Sequence, residues 1–316
     1  MVNSGQRQRA NVTAHNHLMF ARHHRYQLSW FQAVIAAACL VLTGCRPPTP
    51  PPSGYYGDTL AMADVITNIN DNNARINTLW AKVSDYKTTI YDDKNKPHVA
   101  HGEGTLIYLK PGHMRMVGNM IGAGRIFEIG SNADRYWLIA KPAELMWWGW
   151  YRNLGKACAK NAPIPPDLVT EVFGVSDIAR DFLREPVPTM RFNNEKDAYM
   201  FIWNVQAPDR WIARKEVWYD RASFLPIRVS FYDDDGRVLL RAELSDHQPI
   251  EIEGSDEGQP KVATKYNLFF PDTKTTMLFS LANVRPRNRG VPTVRSFPFP
   301  LEPQVDQIVQ IDEACN

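Results

Sequence analysis

From Tyr86 to Val284 the chain is written in short runs of β-branched and aromatic residues, each cut off by Gly, Pro, Asn or Asp. "YKTTIYDD", "GEGTLIYLK", "HMRMVGNM", "GRIFEIG", "RYWLIA" and "ELMWWGWY" follow one another in this way, and "AYMFIWNV", "ARKEVWYD", "KYNLFF" and "TMLFSLANV" resume it later. Such punctuation predicts a meander of antiparallel strands. The clearest hairpin is "LPIRVSFYDDDGRVLLRAEL": Ile227, Val229 and Phe231 share one face, and Val238, Leu240, Ala242 and Leu244 share a face after the "DDDG" turn.

Two segments break this rhythm. Leu60, Val65, Ile66, Ile69, Ile76, Leu79, Trp80 and Val83 recur at spacings of three and four, which predicts an opening helix with Asp58 as its cap. Its centre, "NINDNNARIN", is poor helix material, so a break is expected near Asp71. Further on, Pro165, Pro166 and Asp167 introduce "LVTEVFG", Gly174 closes it, and "SDIARDFL" is expected to add a turn. About ten or eleven strands with two short helical insertions predict a mainly β fold: one strongly curved antiparallel sheet wrapping its helices. The Pro-rich tail "RSFPFPLEP" should run extended along the body.

The leader carries a different message. Arg22, His23, His24 and Arg25 flank an apolar stretch from Leu28 to Leu42, the order of a secretory signal peptide. A membrane-spanning helix needs about 20 apolar residues, and Pro47 and Pro48 end this one short of that. Leu42-Thr43-Gly44-Cys45 resembles a bacterial lipobox, which implies that Cys45 is acylated and becomes the first residue of the exported chain. The expected organisation is a signal peptide over 1–44, a lipidated Pro-rich tether over 45–57 and one domain over 58–316. One acyl chain holds only marginally, whereas two or more give stable attachment. Arg46 after the cysteine, by analogy with enterobacterial sorting, leans towards the outer membrane, facing the periplasm. Of the four cysteines, Cys39 leaves with the signal and Cys45 carries lipid, so Cys158 and Cys315 form the natural disulfide pair of an oxidising compartment.

Composition sets the exclusions. At 44% hydrophobic and 22% charged the chain is ordinarily globular, and a net charge of +2 gives no nucleic-acid footprint. His98 and His101, three apart on a strand, point to opposite faces and make no metal pair. There is no Gly-x-Ser-x-Gly elbow and no dinucleotide fingerprint, so neither enzyme chemistry nor a cofactor is expected.

In order along the chain, "LKPGHMRM", "GSNADRYWLIA" and "FLPIRVSFYDDDGRVLLRAEL", after an amphipathic helix, resemble the LolA/LolB lipoprotein-carrier superfamily over residues 60–245. The resemblance implies an incomplete β-barrel with a helical lid over an apolar cavity that takes lipoprotein acyl chains. It also implies a link between Arg115 and lid closure, with Met114 and Met116 standing where the family has aromatic neighbours. Candidate ligand contacts are Arg115, Met116, Met146, Trp147, Trp148 and Trp150; for the tryptophans, packing in the barrel core is the competing reading. Four arginines, Arg285, Arg287, Arg289 and Arg295, form a basic stretch that is either a solvated loop or a contact for anionic headgroups or a partner. The expected function is a membrane-anchored monomer binding lipid or lipoprotein acyl chains; the alternative is an envelope sensor or scaffold that binds a protein without moving lipid.

Overall fold

The apolar stripe that opens the domain divides between a helix and a strand. In a computed structural model, which describes residues 58–315 apart from 92–94, 121, 142–143, 155, 157, 160–165, 253–257 and 288, α1 spans Met62–Asn73 and β1 spans Thr78–Tyr91. The signal peptide, Cys45 and the tether lie outside the described residues. The expected helix through Val83 is therefore corrected: it ends at Asn73, and it runs through Asp71 without a break. The reason is that a spacing of four, as between Leu79 and Val83, repeats on one face of a helix and also on one face of a strand. Leu79, Ala81 and Val83 are all fully buried, which only the strand period allows. The N-cap is Ala61, with no side-chain cap, rather than Asp58; Asp64 places its charge in the first turn, against the positive end of the helix.

The first half of the sheet continues with β2 (Pro97–Leu109), β3 (His113–Met120), β4 (Gly124–Ser131), β5 (Arg135–Ala140) and β6 (Leu145–Trp150). After α2 (Pro166–Val172) come β7 (Val187–Asn193), β8 (Ala198–Gln206), β9 (Trp211–Asp220), β10 (Pro226–Tyr232) and β11 (Val238–Ser245). The short β12 (Gln248–Pro249) and β13 (Lys261–Val262) pair with each other, and β14 (Lys265–Phe270) and β15 (Thr275–Arg285) return to the main sheet. The order across it is β16-β6-β5-β4-β3-β2-β1-β15-β14-β11-β10-β9-β8-β7, where β16 is Gln307–Gln310. Sixteen strands among the described residues, fourteen of them in the main sheet, thus replace the expected ten or eleven. Missed were β7, whose Pro188 demotes the run, and β12, β13 and β16, too short for any period to register. The segment after Gly174 forms no further helical turn.

The sheet is strongly curved and does not close. Glycines contribute to the bend. In β2, a Cβ at Gly102 would stand 2.0 Å from the Asn119 carbonyl oxygen, and one at Gly104 would stand 1.9 Å from that of Val117. Opposite them the β1 register slips between Val83 and Tyr86, where Ser84 and Asp85 face Glu103 alone, which is a bulge. A larger residue at either glycine would push β3 away from β2, so these glycines set how tightly the sheet curls.

The tail closes back on the first half. Phe297 packs on His113 with ring centroids 5.5 Å apart, Phe299 lies edge-on to Trp137 and Trp148, and β16 pairs in parallel with β6. A disulfide joins Cys158 to Cys315, with Cα atoms 5.3 Å apart. Just before it, the buried Asp312 carboxylate accepts bonds from the Trp150 backbone N–H at 3.0 Å, Asn153 Nδ2 at 2.8 Å and Gln310 Nε2 at 2.9 Å. Burial works to raise its pKa, but the three donors outweigh it and hold the carboxyl below the ordinary range. A carboxyl lowered on folding stabilises the fold above its ordinary pKa of about 4, and that stability is lost as pH falls through the lowered value. Protection of the amides across 305–315 from hydrogen exchange, relative to unstructured chain at the same pH, should fall on acidification in this window. In Asp312→Asn the segment should exchange faster at neutral pH and lose this acid step; an unchanged step would place the titration elsewhere.

Candidate functional site

The inner face of the sheet is apolar from one limb to the other. Leu106, Met114, Met116, Ile129 and Leu138 line the first half, and Phe201, Val229, Leu240, Tyr266, Met277 and Phe279 line the second, all buried within one continuous core. Two short helices and the segment after the second cover it. Val65, Ile66 and Ile69 of α1 and Val169 and Val172 of α2 point into the hollow. Phe173 follows α2 and is the central plug: its ring lies 5.3 Å from that of Tyr266 and 6.3 Å from those of Tyr108 and Phe279. Burial raises the phenols of Tyr219 and Tyr266 well above their ordinary pKa, and that of Tyr108 too, with help from the Glu171 and Asp177 carboxylates. A charge is therefore poorly tolerated along this wall.

Polar side chains latch the cover. Asn70 both donates to the Ile178 carbonyl at 2.9 Å and accepts from the Ile178 N–H at 2.8 Å. Asn73 donates to the carbonyls of Ser176 at 3.0 Å and Gly174 at 3.4 Å, and Asn72 brackets the Lys261 backbone through 2.7 and 3.0 Å bonds. Lys110 bridges the Asn73 carbonyl at 2.7 Å and Asp177 at 3.0 Å, and Lys215 of β9 reaches Glu171 of α2 at 2.7 Å. These asparagines are the residues that lower helix propensity, and their role was not foreseen. Asn70 and Asn73, three apart, fall on one helix side, which is the signal that would have marked them.

Strand alternation divides the six candidate ligand residues between two faces. Met116 and Trp147 face the hollow. Arg115, Met146, Trp148 and Trp150 belong to the outer face, since Arg115 stands opposite Gly130, and Trp148 and Met146 stand opposite Trp137 and Ile139. There Arg115 forms a two-point pair with Glu128 at 2.8 and 2.9 Å, across the sheet from the helices. Met146 packs with Trp137 and Ile139 under the tail, and Arg135 stacks on Trp150 at 4.3 Å and Phe299 at 4.6 Å. Among the described residues, no group of three or more His, Cys, Asp or Glu is placed to hold a metal ion.

No protein-family model and no curated protein matches the sequence. Solved structures do show likeness. A LolA superfamily protein of Nitrosomonas europaea is 12% identical, covering 76% of this chain and 99% of its own, with a TM-score of 0.46. A domain described as an outer membrane lipoprotein-sorting protein, from Vibrio parahaemolyticus, is 12% identical over 70% of this chain and 91% of its own, at 0.42. A DUF1329 family protein of Desulfovibrio piger is also 12% identical, over 74% and 94%, at 0.45.

Proposed function

We propose that this chain is a membrane-anchored envelope lipoprotein that takes lipid or lipoprotein acyl chains into the hollow of its curved sheet once α1 and α2 swing away. One observation carries the reading: an extended apolar wall is covered by two short helices and the segment after the second, held by side-chain hydrogen bonds and ion pairs rather than by strand pairing. Short helices derive most of their stability from the surface they cover, so a ligand that replaces that surface releases them. The need for such a container is large. At about 0.8 kcal/mol per methylene, three chains of roughly 15 methylenes cost some 36 kcal/mol to hold in water.

The latch supplies the test. Asn70→Ala with Asn73→Ala removes four bonds to 174–178, and at about 0.5 kcal/mol each the net loss of about 2 kcal/mol enriches the open form roughly thirty-fold. Amide exchange in α1 should rise accordingly, and a fluorescent fatty acid should bind the variant more tightly than the parent chain, because less is spent on opening. Faster exchange without any gain in affinity would sink the acyl-chain reading. Mass spectrometry of the protein from native membranes, reading the mass on Cys45 and any lipid that travels with it, tests anchor and cargo together.

A second reading draws on the packing itself. With the cover closed, Phe173 and its neighbours fill the hollow with the protein's own side chains. An anchored scaffold that binds an envelope protein would need nothing more.

A further inference from the structure

The outer surface carries a feature that acyl-chain binding does not use. From Asn283 to Leu301 the chain has four arginines and no acidic residue. Arg285, Arg287, Arg289 and Arg295 are all exposed, and Val291 and Val294 stand between Arg289 and Arg295 at 57% and 63% exposure. This segment is fastened to the body: the Thr78 hydroxyl donates to the Pro286 carbonyl at 2.7 Å, Asn132 Nδ2 donates to the Phe297 carbonyl at 3.3 Å, and Arg285 stacks on Trp80 at 4.5 Å.

Strand direction places more cations beside it. In an antiparallel meander the end of β15, the start of β1, the β2–β3 turn, the β4–β5 turn and the end of β6 all lie at one end of the strands. That end therefore also holds Arg135 at the start of β5 and Arg152 just after β6, both stacked on the Trp150 ring, at 4.3 and 4.4 Å. Most of the acidic residues described at this end already have partners: Asp177 pairs with Lys110, Asp197 with Arg221 and Asp246 with Lys265, and Asp312 is buried under its donors, while Asp134 and Glu195 are exposed. The chain also enters the fold at this end, since the Leu60 N–H donates to the hydroxyl of Tyr199, the second residue of β8.

We infer that this rim is a membrane-facing surface that binds the headgroups of anionic phospholipids. Guanidinium groups match phosphates in charge and in donor geometry, and tryptophans suit the boundary between headgroup and acyl chain. The exposed valines supply shallow apolar contact between the charges. This inference rests on the anchored reading above: a lipid on Cys45 would hold the protein at the bilayer, and the rim would set which end of the sheet looks at it.

The test uses the chain purified from native membranes and reconstituted into vesicles of phosphatidylcholine, with or without a quarter phosphatidylglycerol. Amide exchange over 285–297 should slow at least about five-fold on the anionic vesicles, the factor expected for one arginine near such a surface, and the slowing should fade at high salt. Arg289→Glu with Arg295→Glu, two exposed positions outside the core, should abolish it while leaving α1 exchange and acyl-probe binding as in the parent. Equal exchange on both vesicle types overturns the inference. So does protection seen in native membranes but absent on anionic vesicles, which would assign the rim to an acidic protein partner.

Discussion

Phe173→Ala should cost the fold about 3–5 kcal/mol and open a void at the centre of the hollow. Phe173 is 1% exposed, in contact with aromatic rings from β2, β14 and β15, and it follows an α2 of only seven residues, so little else can collapse into the space. Its effect on ligand separates the two functional readings. If the hollow takes acyl chains, the variant is less stable alone but regains much of the loss on adding fatty acid, because a bound chain stabilises the native state by mass action. Thermal unfolding with and without a saturated fatty acid reads this directly. A variant that is destabilised and indifferent to fatty acid would leave Phe173 as ordinary core and favour the scaffold.

Glu128→Ala should cost about 3 kcal/mol, measured by denaturant unfolding. The carboxylate is 2% exposed and holds four donors: Arg115 through Nε and NH2, Arg125 at 3.1 Å and the Trp137 indole at 3.2 Å. Removing it leaves the half-buried Arg115 guanidinium without its partner and unties Trp137, whose ring lies so close over Gly130 that a Cβ there would meet it at 2.3 Å. Replacing both partners, Glu128→Leu with Arg115→Met, should recover most of the loss, since the penalty comes from a charge left without its counterpart. A double variant as unstable as Glu128→Ala would mean that the carboxylate acts through Trp137 and Arg125 instead. Acyl-probe binding should be unchanged in both, because this cluster lies on the opposite side of the sheet from the hollow.

Much of this architecture is legible in the residues, for reasons that can be located. The Ile227–Leu244 hairpin is readable because strict alternation meets an unambiguous Asp-Gly turn, and α2 because Pro166 and Gly174 bracket it. The failure at Leu79–Val83 is equally local: even spacings fit both periods, and only pairing with β2 and β15 selects the strand. Asn70, Asn72 and Asn73 count against a helix by propensity, yet they join α1 to 174–178 and Lys261, contacts more than a hundred positions away along the chain that no local pattern contains.

The sequence by itself determined the class of fold, its antiparallel order, the two helical insertions and the cysteine pair, because each depends on neighbours a few residues apart or on simple counting. The tertiary structure alone decided which face each side chain serves. Trp147 turns into the hollow while Trp148 turns out under the tail and Trp150 out against Arg135 and Arg152, and Arg115 binds Glu128 rather than the helices, because the side on which the helices sit is fixed by how the whole sheet curls. Alternation says that neighbours diverge; only curvature says which of the two sides is the inside.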